Sequence, residues 1–219
     1  MQARVIFLEG LPGTGKTTTA QAIHRWYADR DLAASWWLEE TPDHPATPKD
    51  LRRTASTSGF AERCLAHWAH FARENQHGSG RLVLEGSAFQ STIRFMLEYG
   101  LPREEILGYV REFETLCTPL APWFVYLEPA EGRAFLSEFV YRIRGPAWVN
   151  KVSAYLASTP CARERGWSGP AGMLEFWLLY QELCEEALSL LRQPVLRLTI
   201  GPGRWADAHA KLFAWLPFE

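Results

Sequence analysis

The sequence is poor in features that assign a chain quickly. No apolar run approaches the ~20 residues that cross a bilayer, so no membrane role is expected. Neither sign of charge dominates. Lys and Arg number 23 against 25 Asp and Glu, a formal charge of −2, which argues against general binding to nucleic-acid phosphates. The four cysteines (Cys64, Cys117, Cys161, Cys184) form no C-x-x-C pair, so no zinc ribbon is expected. A chain of this length needs no disulfide framework, and the thiols read as reduced in a cytoplasmic protein. Cys64, His67 and His70 share a helix face by spacing but lack a fourth ligand, and read as helix surface. Arg4 and Glu9 around a short apolar stretch read as a strand rather than a secretory leader. There is no internal repeat and no low-complexity tract. What is present is an ordinary 47% apolar and 22% charged composition. That suits a single domain over residues 1–219, burying roughly 70% of its unfolded surface. The one compositional excess is ten tryptophans.

Strand-like and helix-like segments alternate. Strands are expected at Arg4–Glu9, Ser35–Glu40, Arg81–Glu85, Trp123–Glu128 and Val195–Ile200. Helices are expected at Thr17–Arg30, Phe60–Asn75, Phe89–Tyr99, Arg103–Leu116, Ala130–Arg144, Ala171–Arg192 and Ala206–Trp215. Thr41–Ser58, with three prolines, reads as a long functional loop. Pro146–Gly169 reads as a polar, basic segment broken by glycine and proline. This alternation predicts an α/β fold: a five-stranded parallel sheet with helices on both faces and a basic helical lid over about 130–169.

The strongest local signal is Gly10-Leu11-Pro12-Gly13-Thr14-Gly15-Lys16-Thr17, which matches G-x-x-x-x-G-K-[ST] between a strand and a helix. Such a P-loop turns backbone N–H groups onto phosphate oxygens, and the helix start adds its positive end. Gly10, Pro12, Gly13, Thr14, Gly15, Lys16, Thr17 and Thr18 are therefore the expected nucleotide-binding residues, with ATP and Mg²⁺ as cofactors. Lys16 would reach the β- and γ-phosphates and Thr17 would ligate Mg²⁺. A GTPase base-reading motif is missing, since Asn150-Lys151-Val152-Ser153 lacks the aspartate.

In chain order, Phe7-Leu8-Glu9-Gly10, Trp37-Leu38-Glu39-Glu40, Leu84-Glu85-Gly86-Ser87 and Tyr126-Leu127-Glu128-Pro129 followed by Arg142-Ile143-Arg144 resemble the thymidylate-kinase and deoxynucleoside-kinase branch of P-loop kinases. The resemblance covers about residues 3–145. It implies a P-loop NTPase fold, a general base at the end of the second strand and an arginine-bearing lid. Gly86 stands where that branch has the arginine of its Glu/Asp-Arg-Ser signature. The strings Asp43-His44-Pro45-Ala46, Glu85 through Arg94, and Arg144-Gly145-Pro146-Ala147-Trp148 are also similar in layout to a group of poorly characterised bacterial P-loop proteins, which implies no substrate.

Chemistry assigns further roles. Glu85, ending a buried strand beside the loop, would orient a water on Mg²⁺ or serve as its ligand. Alternation sends Glu39 and Glu40 to opposite faces, so one carboxylate faces the site as base. Glu40 is expected to be that one, with Glu39 the alternative and Asp43 a weaker candidate. Arg142 and Arg144 would stabilise charge on the transferring group, and Arg94 would reach a substrate anion. Gly201-Pro202-Gly203, with Arg204 and Trp205, would pass a nucleotide base.

The expected function is thus an ATP- and Mg²⁺-dependent kinase. Its acceptor would be a hydroxyl or phosphate of a small molecule, such as a nucleoside-like compound or an antibiotic. The alternative is a nucleotide-dependent regulatory or binding module with slow ATP hydrolysis. No nucleic-acid or membrane partner is expected, and the chain is read as a monomer or homodimer. Trp26, Trp68, Trp177 and Trp215 are expected in the core. Trp36, Trp37, Trp148 and Trp167 are candidates to line an acceptor pocket for an apolar or aromatic portion.

Overall fold

The computed structural model describes residues 3–201 and 204–216. Five parallel strands form the sheet. β1 (Val5–Gly10), β2 (Ala34–Leu38), β3 (Arg81–Glu85), β4 (Trp123–Pro129) and β5 (Val195–Ile200) lie in the order β2-β3-β1-β4-β5. This is an α/β architecture compatible with Rossmann-like and P-loop folds. β1 is buried along its whole length, as a strand covered on both faces must be. The register aligns Leu8, Leu38 and Glu85 in one row. The carboxyl ends of β1, β2 and β3 therefore open at a common edge, where ligands gather in open parallel sheets.

Helix α1 (Lys16–Ala28) packs on one face. α2 (Lys49–Arg53) is a single turn or so inside the segment expected to be loop. That segment is more ordered than its prolines suggested, because Arg63 ties it back: its guanidinium donates to Thr54 Oγ1, Thr57 Oγ1 and the Ser58 carbonyl. α3 (Phe60–Asn75) and α5 (Arg103–Cys117) pack together on the other face. Between them lies α4 (Ile93–Glu98), shorter than the helix expected from Phe89. The amides of Ala88, Phe89 and Gln90 donate to the Glu9 carboxylate, so that stretch is a turn rather than a helix.

After β4 the chain climbs over the sheet edge as one bent rod, here called the roof. α6 (Gly132–Ala134) runs through a π-helical stretch (Phe135–Val140) into α7 (Tyr141–Ala157), followed by α8 (Pro160–Arg165). Pro146–Gly169 is thus mostly helical, more regular than its glycines and prolines suggest. Gly145 takes a non-helical φ of 77° and ψ of 167°, so Pro146 sits in a first turn, where its missing N–H costs nothing. α9 (Gly169–Leu190) braces α7, and α10 (Trp205–Trp215) returns to α1, where Trp26 and Phe213 stack with centroids 5.9 Å apart. The core beneath the site is aromatic. Phe7 meets Trp68, Phe113 and Phe124 at 5.6, 5.4 and 4.9 Å, and Trp68 Nε1 donates to Tyr109 Oη at 2.9 Å. Among the described residues no helix is long and apolar enough to cross a membrane.

Candidate active site

The loop between β1 and α1 turns sharply because its glycines take conformations other residues resist. Gly13 and Gly15 have φ of 80° and 89°. A Cβ on Gly13 would lie 2.7 Å from Val140 Cγ2 of the roof. Thr14 Oγ1 donates to the Leu11 carbonyl at 2.8 Å, and buried Lys16 donates from Nζ to the carbonyls of Gly10 and Leu11 at 3.0 and 3.2 Å. Pro12, Gly13, Gly15, Lys16, Thr17 and Thr18 line a cavity of about 630 Å³. The first turn of α1 thus directs its unbonded amides and positive end into that space. Gly10 and Thr14 do not line it. They shape the loop instead, Gly10 because a Cβ would lie 2.4 Å from the Leu127 carbonyl oxygen.

Opposite the loop stand Glu39, Glu40 and Glu85. Alternation does not divide Glu39 from Glu40, because β2 stops at Leu38 and the chain turns there, with the Thr41 amide donating to the Leu38 carbonyl at 3.0 Å. Both therefore face the cavity. Glu39 is the more enclosed and Glu40 is exposed. Gln90 Nε2 donates to Glu39 Oε1 at 2.5 Å, and the Glu39 amide donates to the Glu85 carboxylate. Burial pushes the Glu39 carboxyl up to about 7, with Lys16 pulling it down and Glu85 and Glu40 adding to the rise. Burial also raises Glu85, against the pull of Lys16. Behind them Glu9 is 1% exposed. Burial lifts its carboxyl to about 8 even though Lys16 and the amides of Phe89 and Ala88 favour its ionised form.

The segment after β2 is locked to this row through His44. Its Nδ1 accepts from the amides of Ala46 and Thr47 at 3.2 and 3.0 Å. The proton therefore sits on Nε2, which donates to Ser87 Oγ at 2.9 Å, and Ser87 Oγ donates to the Glu85 carbonyl at 3.1 Å. Burial, helped by Arg52, pushes the imidazole down to about 3, so it is a neutral strut.

The other half of the cavity is walled by Gln90, Arg94, Ile143, Arg144, Trp148 and Trp177, with Phe139, Val152 and Tyr155. Arg94 donates from Nε to the Gln90 carbonyl at 3.1 Å and forms an ion pair with Glu98. Glu98, fully buried, accepts from Tyr155 Oη at 2.7 Å. Arg94 is thus held from α4 and, through Glu98, from the roof. Arg144 lies over the Trp148 ring at 5.6 Å.

Several expectations need correction. Arg142 does not join Arg144. Residues two apart on a helix point to different sides, and Arg142 lines a separate cavity of about 350 Å³ with Phe135, Ile200 and Gly201. Trp36, Trp37 and Trp167 do not line the main cavity; Trp37 packs edge-on to His44 at 6.3 Å. Trp148 does line it, and Trp177, expected only as core, is 5% exposed yet contributes to the wall. Of the expected base-passing loop, Pro202 and Gly203 lie outside the described residues. Trp205 Nε1 would sit 3.5 Å from a Cβ on Gly15. Gln90, Phe139, Tyr155 and Glu9 escaped the sequence reading. Only Glu9 carried a usable signal, as a carboxylate directly before the glycine-rich loop.

The chain matches no protein-family model and no curated protein. Function is accordingly read from the site's own chemistry.

Proposed function

We propose that the protein is an ATP- and Mg²⁺-dependent phosphotransferase of P-loop type acting on a small molecule. The observation that carries this reading is one shared cavity: an anion-ready glycine loop with Lys16 faces enclosed carboxylates, under a partly aromatic roof. Phosphoryl transfer demands this combination of charge neutralisation, positioning and water exclusion. Lys16 and the amides of the α1 start bind the triphosphate. Glu39, held by Gln90, takes the acceptor's proton, and a base with a carboxyl near 7 is matched to neutral pH. Arg144 adds positive charge from the roof. The Thr17 hydroxyl and Glu85 carboxylate are the hard oxygens that suit Mg²⁺; among the described residues no three acidic, His or Cys side chains converge as a metal cage, so phosphate and water would supply the other ligands. Bound there, the ion would neutralise phosphate charge.

The test measures phosphate release and product mass with MgATP, with and without a metabolite library. An acceptor-dependent rise and a phosphorylated product are expected. Hydrolysis that no compound accelerates would sink the reading in favour of a regulatory nucleotide-binding module.

A further inference from the structure

The end of β3 separates two classes of acceptor. Gly86 turns the chain there with φ of 63°, and a Cβ on it would lie 2.9 Å from Glu39 Oε2. The bare Cα lets the Glu39 carboxyl lie against the strand end, where Gln90 Nε2 fixes it. A bulky or cationic side chain at 86 would displace it. The cavity wall therefore carries a carboxylate beside the end of β3.

Most of the nearby cations are engaged elsewhere. Lys16 and Arg144 serve the triphosphate. Arg94 is paired with Glu98, and its remaining influence falls on Glu39. Arg52 feels Glu39 and Glu40 but does not line the cavity. Hydrogen-bonding capacity points the same way. The Glu39 and Glu40 carboxylates accept, and Gln90 Oε1 has no hydrogen-bond partner among the described residues. Such a wall complements O–H donors. A phosphate dianion brings only acceptors and like charge. Around these groups the surface is apolar and aromatic: Phe139, Ile143, Trp148, Val152 and Trp177.

We infer that the acceptor is an uncharged hydroxyl compound with an aromatic or apolar body, and not a phosphate ester. This rests on the phosphotransferase reading above. In the transfer, the acceptor oxygen bonds to the γ-phosphorus of ATP as the bond from that phosphorus to the β–γ bridging oxygen breaks. The bridging oxygen leaves with its electron pair on ADP, and the hydroxyl proton passes to Glu39.

The test presents the full chain and MgATP with uncharged aromatic alcohols, each paired with its phosphate ester: thymidine and its 5′-monophosphate, 2-phenylethanol and its phosphate, and a wider panel built alike. Products are read by mass spectrometry. The alcohols should be preferred by about 100-fold or more in kcat/KM. Preference for the phosphate esters overturns the inference while leaving the phosphotransferase reading standing. Hydrolysis of ATP with no phosphorylated product from either class overturns both. An independent measurement follows phenyl phosphate binding to the MgADP-loaded protein by tryptophan fluorescence. Glu39→Gln and Glu40→Gln should each tighten it by about tenfold, as expected when a repelling charge is removed. Unchanged affinity in both variants overturns the charge argument.

Discussion

The two halves of the cavity are built on different plans. The half proposed to face phosphate comes from one stretch of chain, within residues 12–18, whose glycines and helix start fix its shape locally. The half proposed to face the acceptor is assembled from α4, the roof and α9, so its shape depends on tertiary packing and on the Arg94–Glu98–Tyr155 tie. A local anion cradle is portable between proteins with different substrates, whereas an assembled wall is particular to its acceptor. Substitutions in the first half should therefore remove activity whatever the acceptor, and those in the second should act on the acceptor alone.

The largest effect is expected at Lys16. Lys16→Ala removes the cradle's charge and should cut kcat/KM for ATP by ~10³-fold or more; retention of even a tenth of the activity would break the assignment of the phosphate half. Glu39→Gln comes next, on the boundary between the halves. It should lower kcat by about 10²–10³-fold with the KM for ATP unchanged. The pH dependence sharpens this. In the proposed role Glu39 accepts a proton only when ionised, so kcat should rise as pH passes through about 7 and level off above it. Glu39→Gln should abolish that rising limb. A limb that survives the substitution would transfer the role to another group, with Glu40 first in line.

The same contrast explains what was legible in the sequence. The five strands and the glycine loop follow from local patterns: a covered β1, a motif between strand and helix, and carboxylates at strand ends. The spacing of Arg142 and Arg144 already sets them on different sides of a helix, but which one faces the cavity was not legible. That depends on helical phase around a π-helical stretch and a kink at Gly145. Trp177 reads as core from its apolar helix and is core, but its position opposite the glycine loop comes from how α9 braces α7. Gln90 gave no signal, because its orientation is set by Glu9 holding the neighbouring amides. The preference for Glu40 over Glu39 rested on strand alternation continuing past Leu38, where the chain in fact turns.

The smaller effects belong to the acceptor half. Trp148→Ala should raise the KM for the acceptor by about tenfold, from lost aromatic contact, and leave the KM for ATP unchanged. Equal effects on both would mean that the halves are mechanically one.

Tyr155→Phe should have the smallest effect. The ring and its packing survive, and only the hydroxyl that donates to Glu98 at 2.7 Å is removed. Glu98 is fully buried, so losing that donor should cost about 1.5 kcal/mol of stability. In a chain of this size that lowers Tm by roughly 3–6 °C. Because the bond ties the roof to α4 beside Arg94, the KM for the acceptor should also rise about threefold, a fraction of one hydrogen bond's worth, with ATP unaffected. Glu98→Gln makes the complementary test. It keeps an oxygen for Tyr155 but removes the charge that pairs with Arg94, leaving the guanidinium uncompensated, so it should weaken the discrimination against phosphate esters while sparing ATP. A Tyr155→Phe protein with unchanged Tm and unchanged acceptor KM would show that α7 is held by its packing on α9 alone, and the tie would then play no part in shaping the acceptor half.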